Sequence, residues 1–217
     1  MRPARPSFEL EIELWASGHG LVAGLDEVGR GAWAGPVSVG VAVVDRGVLE
    51  AFPSGVRDSK QLTARAREAL MEPLVATCRS YGVGHASNLE CDALGMTAAQ
   101  ALAASRALAS LEEPPDTLIV DGNHEFTGFP GARTLVGADS RSLVVAAASV
   151  LAKVTRDRLM IEHSNAYPGY GFERHKGYPS PAHRDAVALL GLSPLHRRSW
   201  SVVFGDRTSA EEAGTRL

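Results

Sequence analysis

LVAGLDEVGRGAWAG, residues Leu21 to Gly35, sets an apolar run against two adjacent acids, Asp26 and Glu27, and then against a glycine-flanked arginine. The next run, PVSVGVAVV from Pro36 to Val44, is apolar, β-branched and bounded by glycine and proline. Together they read as successive strands of a hairpin, with the acids where the first strand stops. A single acid after an apolar run usually marks the strand's arrival at solvent. Here the placement recurs. DTLIVDG, Asp116 to Gly122, is a short continuous apolar strand, of the kind buried on both faces, and it ends in Asp121. Asp139 stands where a strand gives way to the longest helical run in the chain.

Sheets flanked by helices gather ligand sites at their strand ends, so neighbouring strands would bring the four acids together. Packed carboxylates repel, and some would be forced to hold a proton unless a cation neutralised them. Hard oxygen donors without nearby Cys or His favour Mg²⁺ or Mn²⁺ over Zn²⁺. Two such ions about 3.5 to 4 Å apart can orient a water nucleophile and stabilise the leaving oxygen of a phosphodiester. The acids therefore point to phosphoryl-transfer hydrolysis. Asp139 has a second reading as a helix N-cap.

The rest of the chain frames this constellation. At 217 residues and 22.9 kDa, with 45% hydrophobic and 22% charged residues, it can bury one core with room for an appendage. No apolar run reaches the roughly 18 residues that cross a bilayer, and the opening MRPARPSFELEIELW has its acids too early for a signal peptide. A cytoplasmic protein with no membrane partner is expected. Cys78 and Cys91 are too few and too isolated for a disulfide framework or a structural zinc site, and read as reduced packing residues.

The net charge of -3 gives no global argument for a polyanionic partner. Between His163 and Trp200, however, five cations (Arg174, Lys176, Arg184, Arg197 and Arg198) face two acids. That stretch is either a solvated face or a phosphate-binding surface.

Periodicity predicts a short helix over 8–17, a helix from Thr63 to Cys78 with Thr63 as N-cap and a kink or early stop at Pro73, and a strand at RSYGVGHAS. An alanine-rich helical stretch follows, split near Gly95. ARTLVGADS reads as a further strand, Pro168 to His183 as a loop, Ala182 to Leu190 as a helix, and the end of the chain as frayed. Three parts are expected: an N-terminal helical segment over 1–19, a catalytic domain over 20–200 and a tail over 201–217.

GLDEVGRGAWAGPV, DSK (Asp58 to Lys60), VDG, ADSRSLVVAAASVLAKVTRDRLM, YPGYGFERHKGYPSPAH and SPLHRRSW occur in that order between Leu21 and Trp200. In these six motifs the chain resembles the bacterial ribonuclease HII family. The resemblance implies an α/β fold, a ribonuclease H-like mixed sheet flanked by helices with a small C-terminal helical extension. It also implies hydrolysis of the RNA strand of RNA/DNA hybrids and incision 5′ to single ribonucleotides in duplex DNA, leaving 5′-phosphate and 3′-hydroxyl ends. Those nucleic acids would be its partners, and a monomer is expected. Asp26, Glu27, Asp121 and Asp139 would be the catalytic acids and would bind two Mg²⁺ or Mn²⁺ ions.

Two residues depart from the family pattern: Ala138 stands where glycine is common, restricting the backbone near Asp139, and Trp33 stands where a smaller aliphatic residue is usual. The relative ribonuclease HIII usually has Gly-Thr-Gly after the acids and a long N-terminal extension, unlike Gly29-Arg30-Gly31 with barely 20 preceding residues. An integrase or resolvase of the same fold would cut DNA without ribose, and a pure binding module would need none of the acids.

Gly29 and Gly31 lack Cβ, so they serve a tight turn, a close backbone approach to a ribose or phosphate, or both, with Arg30 as a bidentate phosphate donor. Lys60 reads as a phosphate contact or a surface lysine. Tyr178 reads as packing or, by the resemblance, as the residue meeting the ribose and adjoining deoxyribose at an RNA-to-DNA junction. His175, His183 and His196, with no metal spacing linking them, read as satisfied surface or core groups rather than general acids or phosphate contacts, Lys153 and Arg156 as packing and surface-pairing groups rather than nucleic-acid contacts, and Trp15, Trp33 and Trp200 as core or rim.

Overall fold

The structure is a computed structural model and describes residues 5–203. The segment expected to fray lies outside the described residues. In chain order the elements are α1 (Glu9–Ala16), β1 (Val22–Val28), β2 (Val37–Val44), α2 (Ala64–Thr77), β3 (Ser80–Ala86), α3 (Asn88–Leu94), α4 (Met96–Ala109), β4 (Thr117–Asp121), β5 (Arg133–Leu135), α5 (Leu143–Ala166), α6 (Phe172–His175) and α7 (Pro181–Leu190). The strands form one mixed sheet in the order β3-β2-β1-β4-β5. β1 is antiparallel to β2 and parallel to β4, with Val22 opposite both Val44 and Thr117.

Both faces of β1 are buried, which is why its sequence is apolar without alternation. Ala23 and Leu25 pack with Val39, Val41, Leu118 and the alanines of α4. Val22 lies on the other face with Val144, Val145 and Ala148 of α5. Glycine lets α5 come unusually close there. A Cβ on Gly24 would stand 2.4 Å from the Val145 nitrogen, and one on Gly40 would stand 2.4 Å from the Ala148 carbonyl oxygen. The alanine-rich face of α5 is the matching half of this contact.

α1 shares the same core through Leu14 and Trp15. Its buried Glu11 accepts hydrogen bonds from the Ser142 hydroxyl (2.5 Å) and the Val144 amide (3.1 Å), placing a carboxylate at the N-terminus of α5. Ser142 is itself the N-cap of α5, accepting from the Val145 amide. Asp139 is therefore not the cap. It lies in a preceding 3₁₀ turn, Ala138–Ser140.

Three other details differ from the sequence expectation. α2 runs through Pro73 to Thr77. The strand expected over ARTLVGADS pairs only at Arg133–Leu135, because Gly137 turns left-handed (φ 67°) and the 3₁₀ turn begins. The stretch from Pro168 to His183 is not all loop. It contains the one-turn helix α6 between left-handed Gly171 and Lys176, and the start of α7, capped by Ser180 with proline first in the helix. These short helices form the C-terminal extension, packed through Ala34, Met160, Tyr170 and Phe172. No helix among the described residues is long and apolar enough to cross a membrane.

Gly24→Ala should destabilise the fold by about 1–3 kcal/mol, since the new methyl meets main-chain atoms of α5 rather than a mobile side chain. Urea unfolding measures this, and an unchanged midpoint would mean that α5 can shift freely on the sheet.

Candidate active site

The acids of β1 separate by strand alternation. Asp26 turns to the α5 face, near Ser149, and accepts the Glu27 amide at 2.8 Å, while Glu27 lies on the opposite face at the sheet rim, 3.7 Å from Arg30. Asp121 ends the parallel neighbour β4, and its Oδ1 accepts the Ala138 amide at 2.7 Å. That bond ties the Asp121 strand end to the turn bearing Asp139. Lys60 approaches from the segment before α2, with its ammonium 3.3 Å from Asp139 and 3.8 Å from Asp58.

The electrostatics join these groups into one unit. Burial pushes the Asp26 carboxyl up to about 7; Glu27 and Asp121 push the same way, opposed by the nearby Ser149 hydroxyl and Lys60. Burial also raises Glu27, with Arg30 opposing and Asp121 reinforcing. Asp139 is raised by burial and Asp58, against the pull of Lys60. Burial alone would lower the Lys60 ammonium, but Asp26, Asp58 and Asp139 together hold it above its ordinary value. One lysine therefore stands among a group of acids that it does not fully compensate.

A cleft of about 410 Å³ opens beside Asp26 and Glu27, lined also by Gly29, Arg30, Gly31, Lys60 and Tyr178. Asp121 and Asp139 are not in its lining; they act on it through the Asp26 and Lys60 interactions. Gly29 has φ 92°, and a Cβ there would lie 2.4 Å from the Arg156 side chain and 2.7 Å from the Pro36 carbonyl oxygen. Its amide donates to the Tyr178 hydroxyl at 2.9 Å, so it is already engaged. Around Gly31 there is open space. The tight turn is thus the role of Gly29, while Gly31 leaves its backbone unobstructed. Two cations lie over the Tyr178 ring, the Lys153 ammonium at 5.5 Å and the Arg156 guanidinium at 5.2 Å from its centroid.

Several residues have duties that their surroundings in sequence do not show. Arg156 pairs with nothing at the surface: it is fully buried and donates to the carbonyls of Pro36, Ala34 and Lys176. Arg197, counted in the basic stretch, is also fully buried and donates to the carbonyls of Gly29, Arg30 and Gly35. Its neighbour Arg198 is exposed, and nothing in RRSW separates the two. Lys153 does pair, with Asp157 at 2.6 Å. Ser149 gives no signal among the small residues of its helix. The three histidines are satisfied groups, as expected, but they also form one cluster: His175 stacks on His183 at 4.2 Å and His183 meets His196 at 3.1 Å. Trp15 and Trp33 are buried and Trp200 is half-buried. Ala138 adopts no left-handed conformation, a role that falls to Gly137, so its methyl imposes no backbone strain beside Asp139.

Among the described residues no group of three or more His, Cys, Asp or Glu side chains is placed to hold a metal ion by itself. An ion bound beside Asp26 and Glu27 would have to take much of its shell from water and phosphate oxygens, as Mg²⁺ commonly does.

A family model described as Ribonuclease HII matches residues 23–203. The ribonuclease HII of Paracoccus denitrificans (strain Pd 1222) is 47% identical over 200 residues, spanning 91% of this chain and 93% of that protein. The crystal structure of the ribonuclease H2 from Pyrococcus horikoshii OT3 is similar with a TM-score of 0.73 at 31% identity, over 90% of this chain and 100% of that one. Bst-RNase HIII in complex with Mn²⁺ shares the fold, with a TM-score of 0.63 at 23% identity over 89% of this chain and 74% of that one. A family match over most of the chain, on a sheet whose neighbouring strands β1 and β4 carry Asp26, Glu27 and Asp121 near their ends with Asp139 in the turn bonded to Asp121, makes this chain a member of the ribonuclease HII family, which cleaves the RNA of RNA/DNA hybrids.

Proposed function

We propose that Asp26, Glu27, Asp121 and Asp139 are the catalytic acids of this ribonuclease, that they hold two Mg²⁺ or Mn²⁺ ions, and that the enzyme also incises duplex DNA 5′ to a single ribonucleotide. The single observation that carries the reading is Asp26: 4% exposed, beside Glu27 and Asp121, and with a carboxyl pushed up to about 7. A buried acid so poorly compensated is costly in a domain unless a cation relieves it. The donors are hard oxygens, which fits Mg²⁺ or Mn²⁺, and the Mn²⁺ complex of the similarly folded Bst-RNase HIII supports the same class. Bound there, the ions would supply an activated water and charge stabilisation at the leaving oxygen, giving 5′-phosphate and 3′-hydroxyl ends.

The chain's own residues supply positioning. Ser149, whose hydroxyl donates to that of Ser59 at 2.9 Å, lies beside Asp26 on the α5 side, and the Ala138 amide holds Asp121. Lys60 and Arg30, both exposed at the cleft, are suited to backbone phosphates. Arg197 fixes the carbonyls of Gly29 and Arg30, so the glycine loop meets a ribose edge in a set shape. Tyr178 presents its ring at the cleft for the sugar at the RNA-to-DNA junction. All of these groups come from one chain, so no second copy is needed to complete the site.

Asp26→Asn and Asp121→Asn should each abolish cleavage of a duplex with one ribonucleotide at saturating Mg²⁺, with the fold intact by circular dichroism. EDTA should stop the wild-type reaction and Mg²⁺ or Mn²⁺ restore it; restoration by Zn²⁺ alone would overturn the oxygen-donor assignment.

The same acid gives a pH signature in metal-free protein. Its folded value of about 7 lies above the ordinary 3.8. Between those values the folded chain keeps a proton that the unfolded chain has lost, so stability from this group falls as pH rises through that window. Asp26→Asn should therefore be more stable than wild type at pH 8, by at most about 4 kcal/mol, with the advantage vanishing near pH 4. Urea midpoints in EDTA across that range would test it, and an advantage independent of pH would exclude the titration.

Tyr178→Ala should slow single-turnover cleavage of the one-ribonucleotide duplex by roughly 5- to 150-fold, the range for losing one aromatic stack. Tyr178→Phe should fall between, and equal rates for wild type and Tyr178→Ala would make this tyrosine a packing residue.

A further inference from the structure

The loop bearing Tyr178 is held at almost every backbone group. Gly177 O accepts from the Trp33 amide at 2.8 Å, Lys176 O accepts from Arg156, and the Tyr178 amide donates to His175 O. Lys176 has φ 53°, a left-handed value uncommon for a residue with a side chain, and such conformations persist where the surroundings over-determine them. The remaining group, the Tyr178 carbonyl, is bound by His183 Nδ1 at 3.0 Å.

That contact fixes a proton. A carbonyl only accepts, so His183 Nδ1 bears hydrogen, and in a neutral ring its Nε2 is then a bare acceptor. The far end gives an independent constraint. His196 Nδ1 lies 2.9 Å from the Ser193 amide, which only donates, and 2.8 Å from the Ser193 hydroxyl. His196 Nδ1 is therefore the acceptor and its Nε2 bears hydrogen. The two Nε2 atoms face each other at 3.1 Å, one with a proton and one without. Both ends dictate the same direction, so Ser193 donates to His196, His196 to His183, and His183 to the Tyr178 carbonyl. A proton added to either ring would set two N–H groups against each other. Burial, which lowers both histidines to about 4, keeps them neutral as the relay requires.

We propose that His183 and His196 are positioning residues for Tyr178, forming a one-way relay of neutral imidazoles through which the C-terminal extension sets the tyrosine that reads the ribose junction. The inference rests on the reading of Tyr178 given above. His175 supports the arrangement from the side, stacked on His183, with its Nδ1 accepting the Gly177 amide and its Nε2 donating to Tyr170 O. The relay makes junction selectivity depend on Ser193 and His196, two residues outside the cleft lining.

The test joins spectroscopy to kinetics on the full chain. In wild-type protein at pH 7.5, long-range ¹⁵N–¹H spectra should show His183 protonated on Nδ1 and His196 on Nε2, and the reverse tautomer at either ring would overturn the relay without any variant having to fold. His183→Phe keeps a ring but loses the donor, and should slow cleavage of the one-ribonucleotide duplex by about 10- to 100-fold, as small misplacements of a positioning group do. His183→Asn places an amide N–H near the Nδ1 position and should recover part of that rate.

In a Tyr178→Ala background, His183→Phe should cost nothing further, because the relay acts only through the tyrosine. Losses that multiply, or that fall equally on a continuous RNA/DNA hybrid, would reduce the histidines to packing and overturn the proposal. A Tyr178→Ala single variant with wild-type rates would instead defeat the underlying reading of the tyrosine, and the relay with it.

Discussion

The close contact between α5 and the β1–β2 pair is the constraint on which the rest of the molecule depends. It exists because Gly24 and Gly40 carry no Cβ where the helix main chain crosses and because the facing side of the helix is alanine. At that separation Ser149 lies beside Asp26 and, two turns further along the helix, Arg156 reaches the carbonyls of Ala34 and Pro36. One helix thus supports a carboxylate at a strand end and the floor of the glycine loop. Interiors close-packed in this way leave little room for compromise.

The site built on this frame is a mixture of rigidity and electrostatic tension. The loop from Gly29 to Gly35 and the loop around Tyr178 are tied by two buried guanidiniums whose donors go to main-chain carbonyls, each engaged several times. Buried carbonyls satisfied by a charged donor are firmly held. The acids a few residues away are in the opposite condition, raised by burial and mutual repulsion with a single lysine among them. Such tension beside an over-determined backbone lowers the stability of the chain, and on the reading proposed above a cation would relieve it.

Much of this was legible beforehand. Most of the strands, the acids at their ends, the break at Gly95 and the cap at Thr63 depend on short-range rules, so residues close in sequence were enough to find them. The ordered motifs pointed to the ribonuclease HII family, and the family match and mixed sheet agree with that. Local rules misplaced Asp139 as a possible cap because Ser142, three residues on, competes for the same role and has Glu11 from a distant helix to assist it. They read Pro168 to His183 as loop because glycine and proline mark its ends, although between them a single turn closes.

By itself, then, the sequence determined the elements, the acidic strand ends and the family, since hydrophobic period and motif order are properties of the chain alone. Tertiary structure decided what each polar residue does. Arg197 and Arg198 are neighbours of identical chemistry, yet one is buried on three carbonyls and the other faces solvent. His175, His183 and His196 are separated by 8 and 13 positions and become one cluster only when α7 folds back over α6. The physical reason is that a hydrogen bond or a pKa depends on which donors and charges lie within a few ångströms, and in a folded chain those neighbours come mostly from elsewhere in the sequence.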